Sequence, residues 1–220
     1  MNNGERILVV GLGHIGQPLA AKLAQVGFGV QGIDTNEEVV EKIHRGESHI
    51  LEPGLSALIN ENLNKKLFIG GPSSIEISNT STILICVESV YDTVEQGPDL
   101  ASLRKSVTSI SQTLKRDQLI ILRSTVPIGT TTKIVLPILE ESGLTAGSDF
   151  SLAYCPERIV EGAALKELGS IPQIIGTVDK QSQDRARAIF SKLTGRVISV
   201  SSFETAEAIK LTDNVYRDTR

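Results

Sequence analysis

A glycine-rich segment, Gly11-Leu12-Gly13-His14-Ile15-Gly16, carries the first chemistry in the sequence. In the spacing G-x-G-x-x-G after a strand, the first glycine permits a tight turn and the second lets the backbone approach a pyrophosphate. The third lets the following helix pack closely on the strand. The N-terminus of that helix offers N–H groups and a partial positive charge to phosphates. The segment is therefore predicted to bind the diphosphate of a dinucleotide through Gly11, Gly13, His14, Ile15 and Gly16.

Asp34 supports the same prediction from a second position. It ends the segment GVQGID, 18 residues after Gly16. An acidic residue at about this distance accepts hydrogen bonds from the ribose hydroxyls of the adenosine. A carboxylate repels a 2′-phosphate, so the sequence predicts NAD rather than NADP as the cofactor. The alternative is a glycine-rich turn that binds no ligand.

Two hydroxyls, on Ser124 and Thr125, follow the apolar run Gln118–Leu122 and precede Pro127. The carboxyl ends of parallel strands face the ligand crevice, which predicts a cofactor contact here. Ser or Thr shortly before Pro is also a start signal for a helix. We expect one hydroxyl to serve each role, and the pattern leaves open which does which.

Charged and amide side chains near the end of the chain are further candidates. Glu157 and Arg158 lie in the segment CPER, just past an apolar run. Lys210 and Asn214 are four residues apart, so on a helix they project from one face. An ammonium and an amide together can stabilise a developing oxyanion. The alternatives are a surface salt bridge at Glu157 and two solvated side chains at Lys210 and Asn214.

Composition excludes several classes of function. The chain has 220 residues, of which 40% are hydrophobic and 22% charged, with a net charge of −4. This is a globular composition with no membrane span, no signal peptide and no general surface for nucleic acid. Only two cysteines are present, so a disulfide framework is excluded and a cytoplasmic location fits best. His14, His44 and His49 lack metal-ligand spacing, and no metal site is predicted.

Short apolar runs alternate with amphipathic stretches along the whole chain. Several runs, such as ILVV and LIIL, do not alternate with polar residues, which is typical of parallel strands covered on both faces. The alternation predicts an α/β fold with a doubly wound, mostly parallel sheet. The predicted strands are Arg6–Val10, Gly29–Ile33, Leu67–Ile69, Thr82–Val87, Gln118–Leu122, Phe150–Tyr154, Gln173–Ile175 and Val197–Val200. The predicted helices are Ile15–Val26, Glu37–His44, Leu55–Leu63, Leu100–Leu114, Thr130–Glu141 and Ser182–Leu193.

The last predicted helix, Phe203–Tyr216, differs from the others because no stop signal follows it before Arg220. We therefore expect residues 1–201 to form one Rossmann-like domain. Residues 202–220 are expected to be the truncated start of a connecting helix.

Four segments in order resemble the UDP-glucose/GDP-mannose dehydrogenase family of nucleotide-sugar dehydrogenases. They are GIDTNEEVVEKIHRGESHILEPGLSALI, ILRSTVPIGTT, AYCPERIVEGAALKELGSIPQIIG and FETAEAIKLTDNVYRD, and the resemblance spans about residues 6–219. CPER and NVYRD resemble the branch of UDP-N-acetylmannosamine (or N-acetylglucosamine) 6-dehydrogenases.

The resemblance implies two rounds of NAD-dependent oxidation, which convert the primary alcohol at carbon six of a UDP-sugar to a carboxylate for polysaccharide biosynthesis. It also implies a Rossmann-like domain, a long central helix that forms a homodimer, and a C-terminal domain that holds the UDP. The family's catalytic cysteine lies in that C-terminal part, and neither Cys86 nor Cys155 matches it. The chain is thus expected to bind NAD without turnover.

The resemblance also implies roles for single residues. Thr125 orients a water or a proton transfer, and Glu157 lies near the reacting carbon as a candidate base for thioester hydrolysis. Lys210 and Asn214 stabilise the oxyanion and bind substrate. Arg158 binds substrate or pairs with Glu157.

One segment departs from the family. Members commonly have Val-Pro-Thr-Pro after the fourth strand, where this chain has Val87-Glu88-Ser89-Val90-Tyr91. The change puts in doubt the loop's rigidity and its cofactor contacts, and it is the one feature that favours a non-catalytic NAD-sensing module. A dehydrogenase of the 3-hydroxyacid or 6-phosphogluconate type is the other alternative, which STVPIGTT and CPERIVEG disfavour.

Overall fold

The apolar runs form one sheet in the computed structural model, which describes residues 5–71, 80–92 and 96–219. Its strands are β1 (Arg6–Val10), β2 (Gly29–Ile33), β3 (Leu67–Gly70), β4 (Thr82–Ile85), β7 (Leu119–Leu122), β8 (Ser151–Tyr154), β9 (Gln173–Gly176) and β10 (Val197–Val200). They lie in the order β10-β9-β8-β7-β4-β1-β2-β3 across the sheet. A short hairpin outside this sheet pairs β5 (Val90–Asp92) with β6 (Gly97–Asp99).

Neighbouring strands are parallel except at one step, where β8 meets β9 in antiparallel fashion through Tyr154 and Gly176. The chain leaves β1 towards β2 and β3 on one side, and crosses back to β4 on the other. The order therefore reverses beside β1, where open α/β sheets bind their ligands at the carboxyl ends of the strands. The predicted doubly wound, mostly parallel sheet is confirmed.

Helices cover both faces of the sheet. Alternate residues of one strand point to opposite faces, so Leu84 and Ile85 belong to different cores. This two-sided burial explains apolar runs without alternation. Helices α1 (Gly16–Gln25), α2 (Glu37–His44), α3 (Leu55–Asn62), α6 (Ala164–Ser170) and α7 (Lys180–Phe190) pack on one face, and α4 (Ala101–Ser111), α5 (Leu136–Glu140) and α8 (Phe203–Asp218) on the other.

Three local features differ from the sequence prediction. The segment after Val87 forms the β5–β6 hairpin, and its Ser89 hydroxyl donates a hydrogen bond to the carbonyl of Thr125. Helix α6 was not predicted, because its seven residues are too short to show a helical period. The predicted helix Thr130–Glu141 opens with a π-helical turn, Thr131–Val135, before α5.

Helix α8 begins where it was predicted to begin. The Ser202 side chain accepts a hydrogen bond from the N–H of Thr205 and caps the helix. Helix α8 extends two residues past the predicted end at Tyr216, to Asp218. Arg220 lies outside the described residues. In the described part of the chain, no helix is both long and apolar enough to cross a bilayer.

Candidate functional site

The phosphate loop has the backbone geometry that its glycines predict. Gly11 has φ +90°, and a Cβ there would lie 2.9 Å from the carbonyl oxygen of Cys86. A Cβ on Gly16 would lie 1.8 Å from the carbonyl oxygen of Gly11. A Cβ on Gly13 would meet no protein atom within 4 Å, so this position opens onto free space. The loop thus fits a bound dinucleotide, whose pyrophosphate needs a close approach at the middle glycine.

Asp34 holds this loop as well as lining the cleft. Its Oδ2 accepts a hydrogen bond of 2.7 Å from the N–H of Leu12, and its Oδ1 accepts one of 2.9 Å from the N–H of Asn36. A carboxylate oxygen has more than one acceptor site, so both oxygens can still accept from a ribose. Asp34 therefore fixes the phosphate loop before any cofactor binds.

Asp34→Ala is expected to lower the affinity for NAD about ten- to hundredfold, which is the effect of losing hydrogen bonds to a charged acceptor. Because the Leu12 contact is lost too, binding of inorganic pyrophosphate should also weaken, though by less. Isothermal titration calorimetry with each ligand measures both changes. Asp184→Ala is the matched control, since that carboxylate is exposed and pairs with Lys180. Wild-type NAD affinity in Asp34→Ala would contradict the role of Asp34.

A cleft of about 710 Å³ runs along the carboxyl ends of the strands. The predicted cofactor residues Gly11, Gly13, His14, Ile15, Asp34, Ser124 and Thr125 line it, while Gly16 lies beneath the loop. One wall comes from α4, through Ser102, Lys105, Ser106 and Ser109. Sequence reasoning missed this wall, although spacings of three and four residues place all four on one helix face.

A second cavity, of about 160 Å³, adjoins the cleft through His14 and Ile15, which line both. Glu157 and Lys210 line it, so the fold brings together two residues that lie 53 positions apart in the sequence. Sequence reasoning missed the other lining residues, which are Ile50, Leu51, Glu52, Ile159, Glu161 and Ala164. Glu161 also lies 3.4 Å from Nδ1 of His14.

Glu157 is a buried carboxylate with fixed partners. It is 2% exposed, and its Oε2 pairs with the guanidinium of Arg123, which is fully buried. Its Oε1 accepts hydrogen bonds from the N–H groups of Arg158 and Ile159, at 2.7 and 3.1 Å. The interpretation of Glu157 as part of a surface salt bridge is therefore wrong.

Arg158 does not pair with Glu157 through its side chain, which corrects that expectation. The guanidinium of Arg158 pairs with Asp213 on α8 and also donates to the carbonyl of Pro172, at 3.3 Å. The Glu157 carboxylate pairs with Arg123 and the Arg158 guanidinium with Asp213, so proximity in sequence did not produce the pair. Arg158 thus connects the CPER segment to α8.

Lys210 and Asn214 differ in their surroundings. Lys210 is 7% exposed, and burial lowers the pKa of its ammonium below the ordinary value. The interpretation of Lys210 as a solvated surface residue is therefore wrong. Asn214 is half-buried one turn later and lines neither cavity.

The hydroxyls of Ser124 and Thr125 do not cap a helix, which corrects that part of the prediction. Ser124 donates a 2.6 Å hydrogen bond to the carbonyl of Val87, and Thr125 lines the cofactor cleft. The first N–H groups of the following helix, on Gly129 and Thr131, instead donate to the carboxylate of Glu207.

Both cysteines are buried, at 6% exposure for Cys86 and 0% for Cys155. Burial raises the pKa of each thiol to about 12, so neither carries a reactive thiolate near neutral pH. The described residues also contain no group of three or more His, Cys, Asp or Glu side chains that could hold a metal ion.

A doubly wound sheet with a glycine phosphate loop and an acidic residue at the end of its second strand defines a Rossmann-type dinucleotide-binding domain. The model of the UDP-glucose/GDP-mannose dehydrogenase family, NAD binding domain, matches residues 5–194. The chain belongs to this family, and the cofactor of the domain is NAD.

Curated relatives agree with this assignment. The chain is 33% identical over 213 residues to the UDP-N-acetyl-D-mannosamine dehydrogenase of Pyrococcus horikoshii, with 97% of this chain and 50% of the relative covered. It is 31% identical to the enzyme of the same name from Campylobacter jejuni, with 99% of this chain and 54% of that relative covered. The chain thus spans about half the length of the curated relatives it matches.

Solved structures share the fold. The UDP-D-ManNAc dehydrogenase of Pyrococcus horikoshii has a TM-score of 0.91 at 35% identity, with 97% of this chain and 50% of that one covered. A ternary complex of GDP-mannose dehydrogenase from Pseudomonas aeruginosa has a TM-score of 0.91 at 30% identity, with the same coverage. A 3-hydroxyisobutyrate dehydrogenase of Mycobacterium tuberculosis, at 16% identity and a TM-score of 0.68, shares the fold alone. The family match decides against the 3-hydroxyacid alternative.

Proposed function

We propose that this chain is the NAD-binding, partly catalytic portion of a nucleotide-sugar 6-dehydrogenase whose substrate is UDP-N-acetylmannosamine. The observation that carries the proposal is that two cavities adjoin each other. The cofactor cleft shares His14 and Ile15 with a smaller cavity that holds Glu157 and Lys210. A sugar carbon oxidised by NAD has to lie where these cavities meet. The names of the relatives supply the choice of sugar.

The phosphate loop and Asp34 would hold NAD, which when bound supplies the two-electron acceptor for each oxidation. Thr125 reaches the cleft from the end of β7 and orients a water or a proton. Lys210 presents an ammonium to the oxygen that becomes negative at carbon six. Asn214, one turn further along α8 and outside the lining of both cavities, and Arg158 are proposed to contribute to substrate binding.

Glu157 is the proposed base for the hydrolytic half of the reaction. A carboxylate can act as a base towards a water only if it is held within reach of that water. The Arg123 guanidinium and two backbone N–H groups hold the Glu157 carboxylate in place at the edge of the smaller cavity.

The proposal also assigns parts of the full-length protein. Residues 1–201 form the NAD-binding domain, and residues 202–220 begin the central helix of a homodimer in a cytoplasmic enzyme. The UDP-binding domain and the nucleophilic thiol lie in the half of the relatives that this chain does not span. Burial of Cys86 and Cys155 supports the assignment of the thiol elsewhere.

The test of this proposal uses the purified chain with NAD and UDP-N-acetylmannosamine. Calorimetry should detect NAD binding, and absorbance should detect no sustained NADH formation. The proposed UDP-binding domain, which would hold the sugar for the first oxidation, and the thiol that the second oxidation needs both lie in the half of the relatives that this chain does not span. A full-length relative assayed in parallel should form NADH and thereby validates the substrate. Sustained NADH formation by the chain alone would contradict the proposal that turnover needs the UDP-binding domain and the thiol in the other half of the relatives.

A further inference from the structure

We infer that Glu207 is a positioning residue that fixes the helix bearing Lys210 against the loop bearing Thr125. The inference rests on the proposed function, because it concerns the two groups proposed to act on carbon six. No sequence motif pointed to Glu207, which reads as an ordinary surface residue between Ala206 and Ala208.

Three hydrogen bonds surround the Glu207 carboxylate, which is fully buried. Its Oε2 accepts from the N–H of Gly129. Its Oε1 accepts from the N–H of Thr131 at 2.8 Å and from the Thr131 hydroxyl at 2.6 Å. These N–H groups open a helix, where backbone donors and the helix dipole favour a negative charge. The carboxylate of one element thus caps the start of another.

The contact between Glu207 and the turn matters for the site because each partner lies close in sequence to a proposed site residue. Gly129 comes four residues after Thr125, and its φ of +90° completes the turn into the helix. Lys210 comes three residues after Glu207, so both project from the same side of α8. The buried Glu207 carboxylate therefore links the loop that bears the proposed hydroxyl to the helix that bears the proposed ammonium.

Helix α8 also packs against the sheet with little room to adjust. A Cβ on Gly176 of β9 would lie 2.5 Å from the carbonyl oxygen of Ser202 and 2.8 Å from the Cβ of Ala206. Beyond Lys210, Asp213 pairs with Arg158. Lys210 is thus held between the Glu207 contact on one side and the Asp213 contact on the other.

The titration of Lys210 reports on whether α8 is packed against the turn at Gly129 and Thr131. Burial lowers the pKa of this ammonium, and Arg217 and Arg158 lower it further, while Glu157 and Asp213 oppose the shift. If α8 loosens, water reaches the ammonium and the pKa rises towards the ordinary lysine value of 10.5.

The experiment follows Lys210 in the full 220-residue chain by NMR with ¹³Cε-labelled lysine, its signal assigned through Lys210→Met. Glu207→Gln should raise the midpoint of the Lys210 titration towards that of exposed lysines. Amide exchange at Gly129 and Thr131 should speed up about tenfold or more, the effect of losing a charge-assisted hydrogen bond. Glu204→Gln is the matched control on the same helix, since that carboxylate is not among the buried side chains and accepts from the exposed Thr132 side chain. It should leave the Lys210 titration at the wild-type midpoint.

Thr131→Val provides a second, milder variant in case Glu207→Gln does not fold. It removes one of three hydrogen bonds and keeps the carboxylate, so it should raise the Lys210 midpoint in the same direction by less. An unchanged Lys210 titration in the folded variant, or an equal rise in Glu204→Gln, overturns the inference. NAD affinity, measured on the same samples, separates the claims. Failure of the wild-type chain to bind NAD refutes the proposed function and leaves the Glu207 result to be judged alone.

Discussion

Arg123→Met is expected to lower the free energy of unfolding by about 3–5 kcal/mol, the range for breaking a buried ion pair from one side. Arg123 is fully buried, and its guanidinium contacts the Glu157 carboxylate, which is 2% exposed. Its Nη1 also donates to Oε1 of Gln173 at 3.2 Å, and its Cζ lies 4.9 Å from the centre of the Phe190 ring. Methionine fills part of this volume but leaves the carboxylate buried without its counter-charge.

Two variants make this prediction specific. In Arg123→Met with Glu157→Gln, most of the loss should be recovered, because a neutral amide needs no counter-charge. The amide oxygen can still accept from the N–H groups of Arg158 and Ile159. Arg116→Met is the surface control. Its guanidinium is 70% exposed and pairs with Asp149, so its loss should cost about 1 kcal/mol or less. Urea unfolding measures all three, and an Arg123→Met loss no larger than the Arg116→Met loss would contradict the buried pair.

Gly13→Ala is expected to weaken NAD binding about ten- to hundredfold, because overpacking costs about 1–3 kcal/mol. Stability should change by about 0.5 kcal/mol or less, because the new Cβ meets no protein atom within 4 Å. The methyl group would occupy the space that the pyrophosphate needs. This substitution therefore separates the binding role of a glycine from its structural role.

Substitutions at two other glycines serve as comparisons for Gly13→Ala. Gly195→Ala adds the same methyl group to equally open space away from the loop, and it should leave NAD affinity unchanged. Gly16→Ala would place a Cβ 1.8 Å from the carbonyl oxygen of Gly11, so it should lower both NAD affinity and stability. Calorimetry and thermal unfolding distinguish the three variants. Wild-type NAD affinity in Gly13→Ala would show that this loop does not contact a pyrophosphate.

Continuous apolar runs predicted the eight strands of the main sheet, since a parallel sheet buried on both faces needs them, and amphipathic stretches predicted most helices. The strands β1, β2 and β10 have their predicted ends. The phosphate loop was predictable for a different reason, because only glycine permits its close approaches. The hairpin after Val87 was not predictable, since its strands have three residues each and carry no period.

The burial and the partners of the charged side chains in the site could not be predicted from the sequence. Arg123 follows an apolar strand and reads as a loop residue, because its partners Glu157 and Gln173 lie 34 and 50 positions away. The expected pair of Glu157 with Arg158 failed because a neighbour in sequence need not be a neighbour in space. Glu207 was missed for the same reason, since its donors lie more than 70 positions earlier in the chain.

Calorimetric titration of the wild-type chain with NAD and with NADP tests the central claim most directly. Saturable NAD binding is expected, with NADP weaker by about tenfold or more because Asp34 repels the 2′-phosphate. A folded chain that binds neither, or binds both equally, would contradict the account of the phosphate loop and Asp34 as an NAD site.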